Sequence, residues 1–329
     1  MKIAVFSTKP YDQNYFEKYD DKHEHKLTYF ETTLDESTVN LTKGFEAICI
    51  FVNDKCHKTI INALAKNGVE LIALRCAGYN NVNLEAAEKQ DIKVVRVPAY
   101  SPEAVAEHAV ALIQTLNRKT HKAYNRIREG NFSLNNLMGF NLYAKTVGVI
   151  GTGIIGSTFC KIMLGFGCKV VAFDIKETKE LKDMGIKFMD LNDLFKTSDI
   201  ISLHCPLNPK TKHIIDAQSI TKMKDGVMII NTSRGALIDT ANVIDFLSNK
   251  KIGFLGIDVY EQEENFFFKD LSESIIQDDL LLRLNSFPNV LITSHQAFFT
   301  KEAMHEITST TIKNFNAFEQ GKHLENAVS

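Results

Sequence analysis

Short β-branched apolar runs alternate with amphipathic stretches through the first hundred residues. Ile3–Phe6, Ala47–Val52, Leu71–Leu74 and Val94–Val97 read as buried strands, while Thr59–Lys66 and Leu84–Lys89 carry apolar residues at helical spacing. That alternation predicts βα units around a parallel sheet. Pro98 and Pro102 bracket a break, after which Ala104–Arg128 runs without Gly or Pro and keeps a helical apolar spacing. The pattern predicts one long helix there, crossing between domains. A second and more regular series follows, with strands expected at Thr146–Ile150, Lys169–Phe173, Ile200–Leu203, Val227–Ile230, Phe254–Val259 and Val290–Thr293. The amphipathic stretch Lys301–Glu319 then predicts a last helix that returns to the first domain. The expected topology is discontinuous, with residues 1–100 and 299–329 forming one domain and residues 101–298 the other.

Bulk composition narrows the function classes. A chain of 329 residues that is 44% hydrophobic can bury two cores without disulfides or metals. A net charge of -2 with no basic block gives no electrostatic reason to bind nucleic acid or an anionic membrane, and no apolar run approaches bilayer length. Met1–Phe6 reads as a first strand rather than a secretory leader. Six cysteines without a C-x-x-C pair, mostly beside apolar residues, fit buried thiols in a reducing cytoplasm.

Val147–Ile150 runs into Gly151-Thr152-Gly153-Ile154-Ile155-Gly156, a buried strand entering G-x-G-x-x-G and then a helix. Gly151 permits the tight turn, Gly153 lets backbone approach a pyrophosphate, and Gly156 lets helix and strand pack closely. Such turns also serve flavin and methyl-donor enzymes, so the context decides. Asp174 ends the next strand, where a carboxylate can accept hydrogen bonds from both hydroxyls of an adenosine ribose and repel a 2'-phosphate. NAD is favoured over NADP, against the plainer reading of Asp174 as the start of a turn.

Candidate chemistry lies at the carboxyl ends of later strands. Arg234 follows Val227–Ile230, Glu263 follows the strand that ends near Val259, and His295 follows Val290–Thr293. In an open α/β sheet, residues so placed can face one crevice. Reduction of a 2-oxo acid needs a cation for the carboxylate and developing alkoxide, and a proton donor for the carbonyl oxygen. A carboxylate beside an imidazole raises the His pKa and fixes the ring, so Glu263 is expected to keep His295 protonated. Taken singly, each residue has a plainer reading, and Glu263 shares its loop with Glu261 and Glu264. No metal-ligand spacing and no G-x-S-x-G turn is present, so metal catalysis and serine hydrolysis find little support.

These segments, together with Arg75–Val82, Val97–His108, Asn231–Gly235, Asp258–Glu261 and His295–Phe298, resemble the D-isomer-specific 2-hydroxyacid dehydrogenases over essentially the whole chain. The resemblance implies two Rossmann-like, flavodoxin-like α/β domains with parallel sheets. It makes residues 1–100 and 299–329 the catalytic, substrate-binding domain and residues 101–298 the NAD-binding domain. Arg234 then becomes the binder of carboxylate and carbonyl, Glu263 the partner of His295, and His295 the proton donor in reversible reduction of pyruvate to D-lactate. It implies substrate contacts at Cys76, Ala77, Gly78, Tyr100 and Phe298 in addition. Cofactor contacts are implied at Gly151, Gly153, Ile154, Ile155, Gly156, Asp174, Cys205, Pro206, Thr211, Thr232, Ser233, Arg234 and Asp258. Ile154 stands where Arg or Lys is frequent in relatives, Thr211 where Asn is commoner, and Asn83 where many carry Asp. The expected partner is a small 2-oxo or 2-hydroxy acid, with a homo-oligomer, dimer or tetramer, suggested by the apolar Ala104–Arg128 segment. A bulkier 2-oxo acid, phosphoglycerate, or an NAD-sensing corepressor-like role remain the alternatives.

Overall fold

The computed structural model describes residues 1–19 and 25–328. The chain opens with β1 (Lys2–Val5), α1 (Pro10–Tyr19), β2 (Lys26–Tyr29), β3 (Ala47–Ile50), α2 (Lys58–Lys66), β4 (Leu71–Leu74), α3 (Leu84–Lys89) and β5 (Lys93–Val95). It continues through α4 (Pro102–Arg118), α5 (Thr120–Arg128), β6 (Thr146–Ile150), α6 (Ile154–Gly165), β7 (Lys169–Phe173), α7 (Lys179–Asp183), β8 (Lys187–Phe188) and α8 (Leu191–Thr197). Then come β9 (Ile200–Leu203), α9 (Ala217–Lys222), β10 (Val227–Asn231), α10 (Thr240–Ser248), β11 (Ile252–Ile257), α11 (Asp279–Ser286), β12 (Val290–Ile292) and α12 (Lys301–Glu319). Two compact units result, one from Met1–Ser101 with Phe299–Ser329 and one from Pro102–Phe298.

The first unit is a parallel sheet in the order β2-β1-β3-β4-β5. Because side chains alternate across a strand, its apolar runs bury both faces. Ile3, Val5, Cys49 and Leu71 pack with Phe16 of α1 and Phe315 of α12, while Phe6, Ile48, Ile50 and Ile72 pack with Ile60 and Leu64 of α2. The second unit is a seven-stranded parallel sheet in the order β12-β11-β10-β9-β6-β7-β8. Val147, Val149, Met228 and Ile230 face α4 and α6, and Ile150, Ile201, Ile229 and Leu255 face the opposite core. The strand order reverses beside β6, so the carboxyl ends of β6 and β9 flank the place where open α/β sheets take ligands.

The α/β class with parallel sheets is as the pattern implies, and three local readings change. Lys26–Tyr29 and Lys187–Phe188 are strands the pattern did not mark. Both occupy sheet edges, where one side of the ladder is solvated and apolar alternation is not needed. The single long helix is two, broken at Lys119, whose φ of 51° is left-handed and stops helical hydrogen bonding. Both halves belong to the second unit. The α4 half spends its stripe, Ala106, Ala109, Val110, Leu112, Ile113 and Leu116, on that unit's own core, whereas α5 buries no residue.

Candidate active site

β6 delivers its chain end to a turn that only glycine fits. Gly151 has φ +94°, and a Cβ there would lie 2.7 Å from the backbone of His204 and Cys205. At Gly153 the corresponding space is open, with nothing within 4 Å. Gly153 caps α6 without a side-chain hydrogen bond, so the N–H groups of Ile154, Ile155 and Gly156 at its first turn have no intrahelical acceptor. An open cradle facing a helix N-terminus suits a pyrophosphate. Ile154, two-thirds exposed at 67%, adds no charge to it.

Asp174, just beyond β7, braces this turn from the side. One carboxylate oxygen accepts from the Thr152 N–H and hydroxyl, and the other accepts from the Lys176 N–H at 2.9 Å. Burial opposes its charge, but these donors outweigh the desolvation and hold its carboxyl below the usual range. The anion keeps lone pairs for further donors while it fixes the glycine turn. Beyond β9, Cys205 is buried and Pro206 exposed, and the Thr211 hydroxyl donates to Pro206 O at 2.6 Å, closing the loop on itself. Thr232, after β10, has a buried hydroxyl that no described residue satisfies. That orphan and the open Gly153 cradle show that these residues fit a dinucleotide.

Asn231, fully buried at the end of β10, holds the next turn by donating from Nδ2 to Arg234 O at 2.9 Å and accepting from Ser233 N–H at 3.0 Å. The Ser233 hydroxyl ties the turn to Cys205 O at 2.8 Å. Arg234 is half-buried, and its guanidinium donates only to Ser233 O at 2.7 Å among the described residues. Gly235 brings this turn against the chain after β11, because a Cβ there would sit 2.1 Å from the Tyr260 carbonyl carbon.

Glu263 stands in that chain, with one carboxylate oxygen accepting from the Tyr260 N–H at 3.0 Å and the other 2.8 Å from His295 Nδ1. His295 follows β12 in a left-handed conformation, φ 55°, its N–H donating to Asp258 O at 2.7 Å. The Phe268 ring lies 5.8 Å from the imidazole. Among the described residues Nε2 has no partner, and it is not buried, so the ring is held by one nitrogen and offers the other.

Asp258 explains how the His295 loop keeps its shape. Its side chain is wholly buried; one oxygen accepts from the Thr293 hydroxyl and from Gln296 N–H at 2.9 Å, the other from Ala297 N–H at 2.8 Å. His108 of α4 completes the network, with Nε2 3.0 Å from the Thr293 hydroxyl and 3.4 Å from Asp258. Burial works against the Asp258 charge, yet the hydrogen bonds from His108, Thr293 and Ala297 and the nearby imidazole hold its carboxyl below the usual range. Asp258, expected among the cofactor contacts, thus has no oxygen turned outward in this conformation and works by holding the loop. His108 was not anticipated. Its signal is positional: it lies four residues from both Ala104 and Leu112 on the buried stripe of α4, where an imidazole needs a partner.

In the first unit, the chain after β4 forms the loop Cys76–Tyr79. Its N–H groups at Ala77 and Gly78 donate to no acceptor among the described residues. Tyr100 is half-buried, and Phe298, at the end of the second unit, is buried. Among the described residues, no group of three or more His, Cys, Asp and Glu is placed to hold a metal, and no helix is long and apolar enough to cross a membrane.

Residues 110–297 match the family described as D-isomer specific 2-hydroxyacid dehydrogenase, NAD binding domain. A 2-hydroxyacid dehydrogenase homolog of Haemophilus influenzae is 51% identical over 100% of this chain and 99% of its own length. D-lactate dehydrogenase of Escherichia coli is 50% identical with both chains fully covered. The apo-structure of D-lactate dehydrogenase from Escherichia coli superposes with a TM-score of 0.92 at 48% identity, covering 100% of each chain.

Proposed function

The chain belongs to the D-isomer-specific 2-hydroxyacid dehydrogenases, and on that footing we propose that it reduces pyruvate to D-lactate and runs the reverse reaction. The carrying observation is the Glu263–His295 pair with Nε2 left open, at the end of β12, two strands from the Arg234 turn that follows β10. The nicotinamide cofactor, when bound, would supply the hydride for C2 of the oxo acid as NADH and, as NAD+, accept it in the reverse direction. His295 donates the proton on Nε2 to the carbonyl oxygen and, deprotonated, accepts the hydroxyl proton on the way back. Glu263 takes no proton itself. It accepts from Nδ1 and so fixes the tautomer and the ring. The Arg234 guanidinium, free of any carboxylate partner among the described residues, steadies the charge that grows on the same oxygen. The substrate carboxylate takes the N–H groups of Ala77 and Gly78, which donate to no acceptor among the described residues, and Tyr100 and Phe298 are further substrate contacts that the family resemblance implies. Ser233, Thr232 and the loop from Cys205 to Thr211 hold the cofactor from the side of β9 and β10.

Loss of NADH absorbance with pyruvate, 2-oxobutyrate, 2-oxoisocaproate and phenylpyruvate tests this directly, with the product assigned by a D-specific enzyme. Fastest turnover of pyruvate to the D-isomer is expected; a preference for the branched or aromatic acids contradicts the pyruvate assignment.

The same reading makes the protein a homo-oligomer in a reducing cytoplasm, where its six buried cysteines, none of them in a disulfide, stay reduced. Tyr124, Ile127, Phe132, Leu134, Met138 and Tyr143 are all exposed in one stretch that starts on α5. A nine-residue helix that buries nothing is marginal alone in water, and a second copy would cover this surface. Sedimentation is expected to show an oligomer that Leu134→Lys with Met138→Lys shifts toward monomer; a monomeric wild type contradicts it.

A further inference from the structure

The loop proposed above for the substrate carboxylate has its carbonyls engaged, while its N–H groups at Ala77 and Gly78 donate to no acceptor among the described residues. Cys76 O accepts from Val97 N–H at 3.2 Å, Ala77 O from Arg96 Nη1 at 2.7 Å, and Gly78 O from the Cys76 thiol at 3.2 Å. Arg96 also lays its guanidinium over the Tyr79 ring, 5.1 Å from the centroid. It is therefore a charged group bonded directly to this loop. Its main chain is itself clamped from outside the sheet. The Arg96 N–H donates to Asn326 O at 3.1 Å, and Arg96 O accepts from Asn314 Nδ2 at 3.1 Å. Asn326 Nδ2 in turn donates to Asn314 Oδ1 at 2.9 Å, joining the chain end to α12.

We propose that Arg96 is a positioning residue for the substrate carboxylate, acting through the Ala77–Gly78 peptide. The statement rests on the carboxylate-binding role given to this loop above. A cation bonded to Ala77 O draws electrons from the peptide whose N–H belongs to Gly78, which makes that N–H a stronger donor. Fixed charge beside the loop also favours an anion on it, and the stack on Tyr79 keeps the guanidinium plane in place. The clamp by Asn314 and Asn326 gives the last residues of the chain a share in oxo-acid affinity.

The test compares wild type, Arg96→Gln and Arg96→Lys in steady-state kinetics with pyruvate, in inhibition by oxamate, a carboxylate-bearing isostere of pyruvate, and in NADH binding by fluorescence. Arg96→Gln is expected to raise the pyruvate KM and the oxamate inhibition constant together, on the order of tenfold, the scale of one charge-assisted hydrogen bond. Turnover number stays within about twofold and NADH affinity is unchanged, because neither depends on the Gly78 N–H. Arg96→Lys recovers part of the loss, keeping the charge but not the stack. Unchanged KM, or a loss of kcat and NADH affinity in step with KM, overturns the proposal, the second pattern marking a merely structural role. If Arg96→Gln does not fold, Arg96→Lys decides alone by the same split. A wild type that turns over no 2-oxo acid refutes the enzymatic reading instead, and oxamate binding to the NADH-loaded protein then still reads Arg96.

Discussion

Replacing Asp258 by Asn removes one charge and turns one acceptor into a donor, in a place with no room for either change. The carboxylate accepts from the Thr293 hydroxyl, Gln296 N–H and Ala297 N–H, with His108 beside it, and none of it reaches solvent. An amide can serve Thr293 and Gln296 with its oxygen only by pointing its NH2 at the Ala297 N–H. The opposite flip serves Ala297 and opposes the other two. Charged hydrogen bonds lost and one buried donor left unpaired together cost roughly 3 to 5 kcal/mol. The loop responds at His295, whose left-handed φ of 55° depends on its surroundings to be held. A displacement of about an ångström there lowers kcat/KM for pyruvate on the order of tenfold to a hundredfold. Urea unfolding at neutral pH reads the first figure, and turnover under conditions where the variant is folded reads the second. NADH affinity is expected to change much less than kcat/KM. An Asp258→Asn protein within about 1 kcal/mol of wild type and with full kcat/KM would refute the role given to this network.

Three further outcomes follow from the same geometry. Gly151→Ala forces a β-carbon into a left-handed turn, about 1 to 2 kcal/mol of strain before its contact with the His204–Cys205 backbone, so NADH affinity falls about tenfold or more; fluorescence titration giving wild-type affinity contradicts the turn's assignment. Burial pushes the His204 imidazole down to about 3, with Ser202 Oγ 2.8 Å from its Nε2. Its folded pKa lies below the unfolded value, so the unfolded chain binds the extra proton and stability falls as pH drops below about 6.5 toward 3. Between pH 7.5 and 5 that amounts to about 1 to 2 kcal/mol, which His204→Phe removes from the acid limb of the urea curves; an equally steep limb in the variant contradicts it. Arg234→Gln is expected to lower kcat/KM by about 10²- to 10³-fold, with NADH affinity largely kept. Loss confined to KM would assign Arg234 to uniform binding only.

Much of this was legible in the chain itself, for identifiable reasons. Strands buried on both faces, such as Leu71–Leu74 and Ala47–Ile50, declare themselves because every position must be apolar. The edge strands do not, since half-exposed positions tolerate Lys26 or Lys187. Nothing in the composition of Ala104–Arg128 marks Lys119 as left-handed; lysine is an ordinary helix former, and the break is enforced from outside. Asn117 donates to Phe140 O at 2.8 Å, and the Lys119 ammonium donates to Asn136 O at 2.8 Å. Among the acidic residues of one loop, the pattern alone could not choose between Glu261 and Glu263. The fold separates them: Glu261 lies 2.7 Å from His213 Nε2 and accepts from the Thr240 hydroxyl, leaving Glu263 for His295. Asp258, His108 and Arg96 share a different obscurity. Each acts on a loop remote in sequence, 35 to 38 residues away for Asp258 with Thr293 and Gln296 and 19 for Arg96 with Ala77, and only folding brings those partners together.

The most direct measurement is the kcat/KM for pyruvate reduction of His295→Asn beside wild type, with NADH affinity measured on both. The open Nε2 and its Glu263-held partner nitrogen predict a loss of about 10²- to 10⁴-fold with NADH affinity largely intact. Turnover retained within a few fold would place the proton on some other group and contradict the mechanism.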